Sequence, residues 1–225
     1  MLTVSETWST IYPEAVVGIL TMRDVINPDH HPALDARKAQ LEHQLRSRFA
    51  GQNKAALKAL PTIQAYTAYY KRFKKTYHLL LQLESVAIKG KPIPRVAGLV
   101  EAMFMAELTD LLLTAGHDLE AIHMPLRLDV SDGSERFTRI NGQEQVLKPG
   151  DMFIADAQAV ISSVIYGTDQ RTRITPGTRQ VFFSTYAPAG IGEQAVRQHL
   201  ENIRSNIEII APESKVMALE LFGAG

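Results

Sequence analysis

Cysteine is absent from this chain. Disulfide frameworks, thiolate nucleophiles and cysteine-ligated zinc are therefore excluded. Neither sign of charge prevails, since 24 Lys and Arg stand against 24 Asp and Glu. That balance argues against a duplex-DNA surface driven by phosphate contacts, but a pocket for a single nucleic-acid end needs no basic excess. Long apolar runs are missing as well, and stretches such as Ala159-Val-Ile161 are far too short to cross a bilayer. The start, Met1-Leu-Thr-Val-Ser-Glu-Thr-Trp8, has neither a charged nor an apolar leader region. A soluble cytoplasmic protein with no membrane partner is expected. Phosphate-cradling Gly-x-x-x-x-Gly-Lys and nucleophile-elbow Gly-x-Ser-x-Gly segments are both lacking, so a triad of His117, Asp118 and Ser184 has little support. Asp129, Asp132 and Glu135 around Gly133 lack EF-hand spacing, and His30-His31 sit in a proline-bounded turn. No metal or cofactor is expected.

What is present divides by period. At 225 residues the chain suits a single domain over 1–225. A strand–helix extension is expected over 1–60, a core over 61–190, and a closing helix with a tail over 191–225. Ala15-Val-Val-Gly-Ile-Leu20 reads as a buried strand. Leu34, Leu41, Leu45 and Phe49 follow Pro32 at helical spacing. After Pro61, the residues Tyr66, Tyr69, Tyr70, Phe73 and Tyr77 form a stripe with Lys71, Arg72, Lys74 and Lys75 between them. Such interleaving marks some RNA-binding surfaces, and it equally describes a core-facing stripe with solvated lysines behind it. A helix with Val100, Met103, Phe104, Leu108 and Leu111 on one face follows the stop at Gly90-Lys-Pro-Ile-Pro94. From Pro125 the period becomes two: Leu126–Val130, Met152–Ala155, Val160–Ile165 and Val181–Phe183 read as strands. Phe137–Ile140 and Gln145–Leu147 flank the hairpin signal Asn141-Gly142. A closing helix carries Val196, Leu200, Ile203 and Ile207. Helices first and strands second predict an α+β fold.

The densest polar cluster is Gly167-Thr-Asp-Gln-Arg-Thr-Arg-Ile-Thr175 with Thr178, running into the apolar strand from Val181. Backbone amides and hydroxyls at such a rim can hold a polar ligand, and a flanking arginine can meet a phosphate or carboxylate. The same residues also make an ordinary polar turn at a sheet edge.

The order of features from Tyr70 to Ala187 resembles the B3/B4 domain of the phenylalanyl-tRNA synthetase beta subunit, in its free-standing form. The matching pieces are Tyr70-Lys-Arg-Phe-Lys-Lys75, Glu84, Gly90-Lys-Pro-Ile-Pro94, Leu99-Val-Glu101, Gly116-His-Asp118, Leu126-Arg127, Pro149-Gly-Asp151, Asp156, and Gly167 to Thr175 with Thr178. Each is weak alone, and the ordered set is specific. The resemblance implies a three-layer α/β fold containing a β-sandwich of unusual topology with flanking helices. It implies an editing module that takes the 3′ end of mischarged tRNA and hydrolyses the ester to the wrong amino acid. The family's pocket histidine falls on Ala115, its pocket glutamate on Ser184 and its helix asparagine on Phe104. Tyrosine selectivity is thereby expected to be reduced. Candidate ligand contacts are Gly167, Thr168, Asp118, Ser184, Ala115, Arg171 and Arg173, with Lys74 and Lys75 as a second basic patch. Candidate catalytic groups are Thr175, Thr178 and His117, orienting water toward an ester whose oxyanion meets the amides at Gly167-Thr168. One pocket walled by the Gly116–Asp118 turn, the 167–178 segment and the strand through Ser184 is expected. Two functions stay open: a deacylase acting on a tRNA acceptor end, and a non-catalytic module binding RNA or a small amino-acid-like ligand.

Overall fold

A computed structural model describes residues 2–223. In chain order the elements are β1 (Leu2–Val4), α1 (Glu6–Ile11), β2 (Val16–Arg23), α2 (Pro32–Arg48), α3 (Lys54–Lys58), α4 (Pro61–Arg72), α5 (His78–Leu83), α6 (Gly98–Asp110), β3 (Thr114–Asp118), β4 (Leu126–Val130), β5 (Arg136–Thr138), β6 (Glu144–Val146), β7 (Met152–Ala155), β8 (Val160–Ser163), β9 (Gly167–Thr168), β10 (Gln180–Ala187), α7 (Glu193–Ile210) and β11 (Lys215–Gly223). The fold is α+β. One sheet has the order β1-β4-β7-β8-β9, a second β11-β2-β10-β3, and β5 pairs with β6 alone. All pairings are antiparallel except that of β1 with β4.

Proline sets both long N-terminal helices. Pro32 and Pro61 each stand in the first turn, where the missing amide hydrogen costs nothing. The aromatic stripe of α4 is the hub of the molecule, and every member is buried. Its phenols end on polar groups of different elements. Tyr66 donates to the Tyr186 carbonyl (2.5 Å) and accepts from the Leu113 amide (2.9 Å). Tyr69 donates to Asp151 (2.8 Å), Tyr70 to the Val164 carbonyl (2.8 Å) and Tyr77 to the Leu111 carbonyl (3.1 Å). A buried aromatic body with a satisfied hydroxyl packs and positions at once. The lysines between these aromatics are exposed, as a solvated back face requires.

On the other side of the second sheet, α7 buries Val196, Leu200, Ile203 and Ile207. Gly18 of β2 allows that approach: a Cβ there would overlap Val196 Cγ1 and come within 2.9 Å of Leu200 Cδ1. The two sheets meet where the Ser162 and Tyr186 hydroxyls share a hydrogen bond (2.7 Å).

Several expectations change. The Gly116–Asp118 turn is instead the end of buried strand β3. Thr-Ala-Gly-His-Asp has little strand propensity, but pairing with β10 on one side and with the Thr172–Arg173 backbone on the other imposes it. The tail after α7 forms β11 against β2. In the N-terminal strand–helix segment, β2 lies between β11 and β10. In α6 the buried residues include Leu99, Ala102, Met105, Ala106 and Leu108, while Val100, Met103 and Phe104 are only half-buried. The Asn141-Gly142 hairpin pairs only Arg136–Thr138 with Glu144–Val146, across a five-residue loop (139–143).

Candidate functional site

A cavity of about 360 Å³ opens beside the edge strand β3. Its walls come from α6 (Met103, Glu107), the start of β3 (Leu113 to Ala115), the β8–β9 connection (Ser163 to Gly167), Tyr186, His78 and Arg139. Gly167 has φ of +75°, pairs with Ser163 of β8, and would meet nothing within 4 Å if it carried a Cβ, so the rim is open on that side. Lys75 lies over the ring of the cavity-lining Tyr166, 5.6 Å from its centroid. That contact brings the second basic patch beside the cavity.

Of the residues singled out by sequence, only Ala115 and Gly167 line this space. The others divide into four places. Asp118, Thr175 and Thr178 do come together, but as a knot of their own. Thr178 donates to Asp118 (2.7 Å) and accepts from the Thr175 amide (2.9 Å), and the Thr175 carbonyl takes the Asn27 side chain (2.9 Å). Thr178 is fully buried. These bonds hold the end of the 169–178 segment against β3 and leave the Thr178 hydroxyl engaged.

His117 and Ser184 are fully buried. His117 Nδ1 is bonded to Thr172 Oγ1 (2.7 Å) and its ring packs near Phe182. Burial pushes its pKa down to about 3, with Arg171 adding to the fall and Asp156 opposing it. The imidazole is a neutral internal prop. Ser184 of β10 stands in register beside Ala115, on the same face of the sheet, but it is fully buried and does not line the cavity.

Arg171 and Arg173 line a separate surface cleft with Arg136. Arg171 is not a free turn arginine. It pairs with Asp156 (2.7 Å) and donates to the Ala121 carbonyl (2.7 Å). Arg173 donates only to the Gln170 carbonyl and is exposed. Thr168 pairs with Ser162 in β9, next to the rim.

Cavity residues that were not nominated for a site role from sequence include Glu107, Met103, Tyr166, His78 and Arg139. Glu107 is 5% exposed, and its Oε1 accepts from the Thr114 amide (2.8 Å). Burial pushes its carboxyl up to about 8, with that amide bond pulling the other way. One signal was available: an acid one helical turn after Met103 within an otherwise apolar stretch. Nearby, Thr114 Oγ1, His199 Nε2 (2.7 Å) and Asp110 (2.9 Å from Nδ1) form a hydroxyl–imidazole–carboxylate series. His199 is fully buried and the Thr114 hydroxyl is shared with Thr185. The series joins α6, α7, β3 and β10 as a brace. Among the described residues, no group of three or more His, Asp or Glu converges as a metal site.

The sequence profile described as the B3/4 domain matches residues 65–207, more than half of the chain. The chain belongs to the B3/4 domain family. This B3/4 domain is 29% identical over 93 residues to a phenylalanine–tRNA ligase beta subunit from Mycoplasma pneumoniae, covering 40% of the chain and 12% of that relative. The chain thus spans a small part of the relative's length. Its fold matches an N-terminal fragment of the phenylalanyl-tRNA synthetase beta subunit from Pyrococcus horikoshii with a TM-score of 0.50 at 12% identity. That match covers 96% of this chain and 50% of the fragment. The matched profile takes in α6, β3 and the β8–β9 rim, so every cavity wall lies within the family region.

Proposed function

We propose that this B3/4 domain binds the aminoacylated 3′ end of a tRNA and hydrolyses the ester of a wrongly attached amino acid. The observation that carries this reading is the cavity itself: about 360 Å³, with apolar wall (Met103, Leu113, Val164, Ile165), the open Gly167 rim and basic Lys75 adjoining. Ligand pockets typically run from about 300 to 1,000 Å³, so an amino-acid-sized group suits the lower end. Kinship with synthetase beta subunits directs the reading toward tRNA. The chain is proposed to act as one domain, taking the acceptor end with local cations in place of an extended basic face.

The chemistry asks little of the protein. Water adds to the ester carbonyl, the bond from carbonyl carbon to ribose oxygen breaks, and the ribose oxygen leaves with a proton. The amides at Gly167-Thr168 are the donors proposed for the oxyanion, worth a few kcal/mol in such sites. A neighbouring ribose hydroxyl can relay the proton. Thr175, Thr178, Asp118 and His117 serve in this scheme by bracing the segment that carries the rim, and Ser184 by standing beside Ala115 on the neighbouring strand.

A second reading, binding without hydrolysis, is favoured by one observation. His117 and Thr178, both nominated for catalysis, are buried and bonded within the protein. A panel of correctly and wrongly charged tRNAs separates the two. Deacylation above the protein-free rate, abolished by Ala115→Trp, is the expected result. Binding without acceleration selects the second reading, and neither binding nor acceleration with any tRNA removes both.

A further inference from the structure

Glu107 is the one acidic residue in the cavity wall, and its partners are unusual for a buried carboxyl. Among the described residues, one of its oxygens accepts a hydrogen bond, from the Thr114 amide. No cation lies within ion-pair distance of it among the described residues, although Arg139 lines the same cavity. The groups that face it from neighbouring elements are Tyr66 and Tyr70 of α4, Tyr77 before α5, and across the cavity His78, Tyr166 and Arg139. The three α4–α5 phenols are held neutral by burial. A buried carboxylate lacking a counter-charge is costly unless a partner arrives or a proton stays on. Capping the Thr114 amide does not account for an acid here, because a glutamine oxygen would accept the same bond.

We infer that Glu107 is the ammonium-binding residue of this cavity, so that the ligand it accepts must carry a free α-amino group. The inference rests on the reading that the cavity takes an aminoacyl moiety, and it adds a requirement on that moiety. The ammonium supplies the charge that the wall lacks, and Glu107 ionises against it. Empty, the carboxyl keeps its proton, consistent with its raised pKa. Ligand entry therefore expels that proton to solvent. An N-acylated amino acid has no ammonium to offer and leaves the acid unpaired.

The test is titration calorimetry at about pH 6.5, where an α-ammonium is still protonated. The probes are the amides of L-alanine, L-leucine, L-phenylalanine and L-tyrosine, each with its N-acetyl counterpart. At least one amide is expected to bind at least tenfold more tightly than its N-acetyl form. Binding is expected to release close to one proton, read from buffers of different ionisation heat. Glu107→Gln, which keeps the Thr114 bond, should abolish proton release and weaken the amides tenfold or more while leaving the N-acetyl forms unchanged. Equal binding of amides and N-acetyl forms overturns the inference, and that comparison needs no variant. So does proton release that persists in Glu107→Gln, or no binding of any amide at millimolar concentration. Protein that discriminates charged from uncharged tRNA, yet fails these tests, loses this inference alone.

Discussion

Burial lowers the pKa of His117 and raises that of Asp151, and the two residues therefore act on stability with opposite sign. Asp151 accepts from Tyr69, and desolvation raises its pKa from 3.8 to about 7. The unfolded chain releases that proton first, so stability from Asp151 is full below about pH 4 and falls as pH rises to about 7. His117, lowered from 6.5 to about 3, does the reverse: stability is full above 6.5 and is lost as pH falls toward 3. Each slope is about 1.4 kcal/mol per pH unit at most. Buried Glu107, raised to about 8, adds a falling slope of its own, so the wild-type profile should fall with pH between about 4.5 and 6.5. In denaturant midpoints measured from pH 4 to 7, Asp151→Asn should shift the slope upward relative to the wild type, and His117→Gln should shift it downward. Identical profiles for the two variants would contradict this assignment. Arg171 and Arg173 part in a similar way. Losing Arg171 strips the buried Asp156 carboxyl of its guanidinium, so Arg171→Ala should cost about 1–3 kcal/mol in urea unfolding. Arg173→Ala should stay within about 0.5 kcal/mol.

Contacts between elements show what a sequence discloses and what it hides. The α4 stripe, the Leu34–Phe49 face and the α7 face were legible because period and burial coincide there. β3 was hidden, because its strand conformation is imposed by β10 and by Thr172–Arg173 rather than by its own residues. The cavity was hidden for a related reason. Its walls are drawn from six separated segments, and Glu107 and Tyr166 look like ordinary helix and turn residues until those segments meet. The Gly167–Thr178 cluster was legible as polar, yet most of its hydroxyls and charges turned out to be engaged with one another. Two element pairs make testable joints. Gly18→Ala inserts a methyl between β2 and α7 and should cost about 1–3 kcal/mol through overpacking, read as a lowered unfolding midpoint. The buried Lys38–Glu101 pair (2.9 Å) ties α2 to α6. Glu101→Leu should destabilise by about 3 kcal/mol, and Lys38→Met in the same chain should recover much of that. A double variant no better than the single would show that the ion pair is not the cause.

For the whole molecule, the interleaving of chain ends is decisive. With β2 lying between β10 and β11 and β1 paired to β4, unfolding by fluorescence and by circular dichroism should coincide in a single transition. Balanced charge sets the character of the proposed RNA binding. A plot of log affinity against log salt should have a slope of only about −1 to −3, as for one to four phosphate contacts. The cavity, the rim and the adjoining lysine together carry the central claim. Its most direct test is the affinity of the protein for one tRNA in two forms, uncharged and carrying an amide-linked amino acid that resists hydrolysis. The charged form should bind at least tenfold more tightly, and Ala115→Trp should erase that difference without weakening the uncharged form. Equal affinity of wild-type protein for the two forms, across several amino acids, would contradict the account.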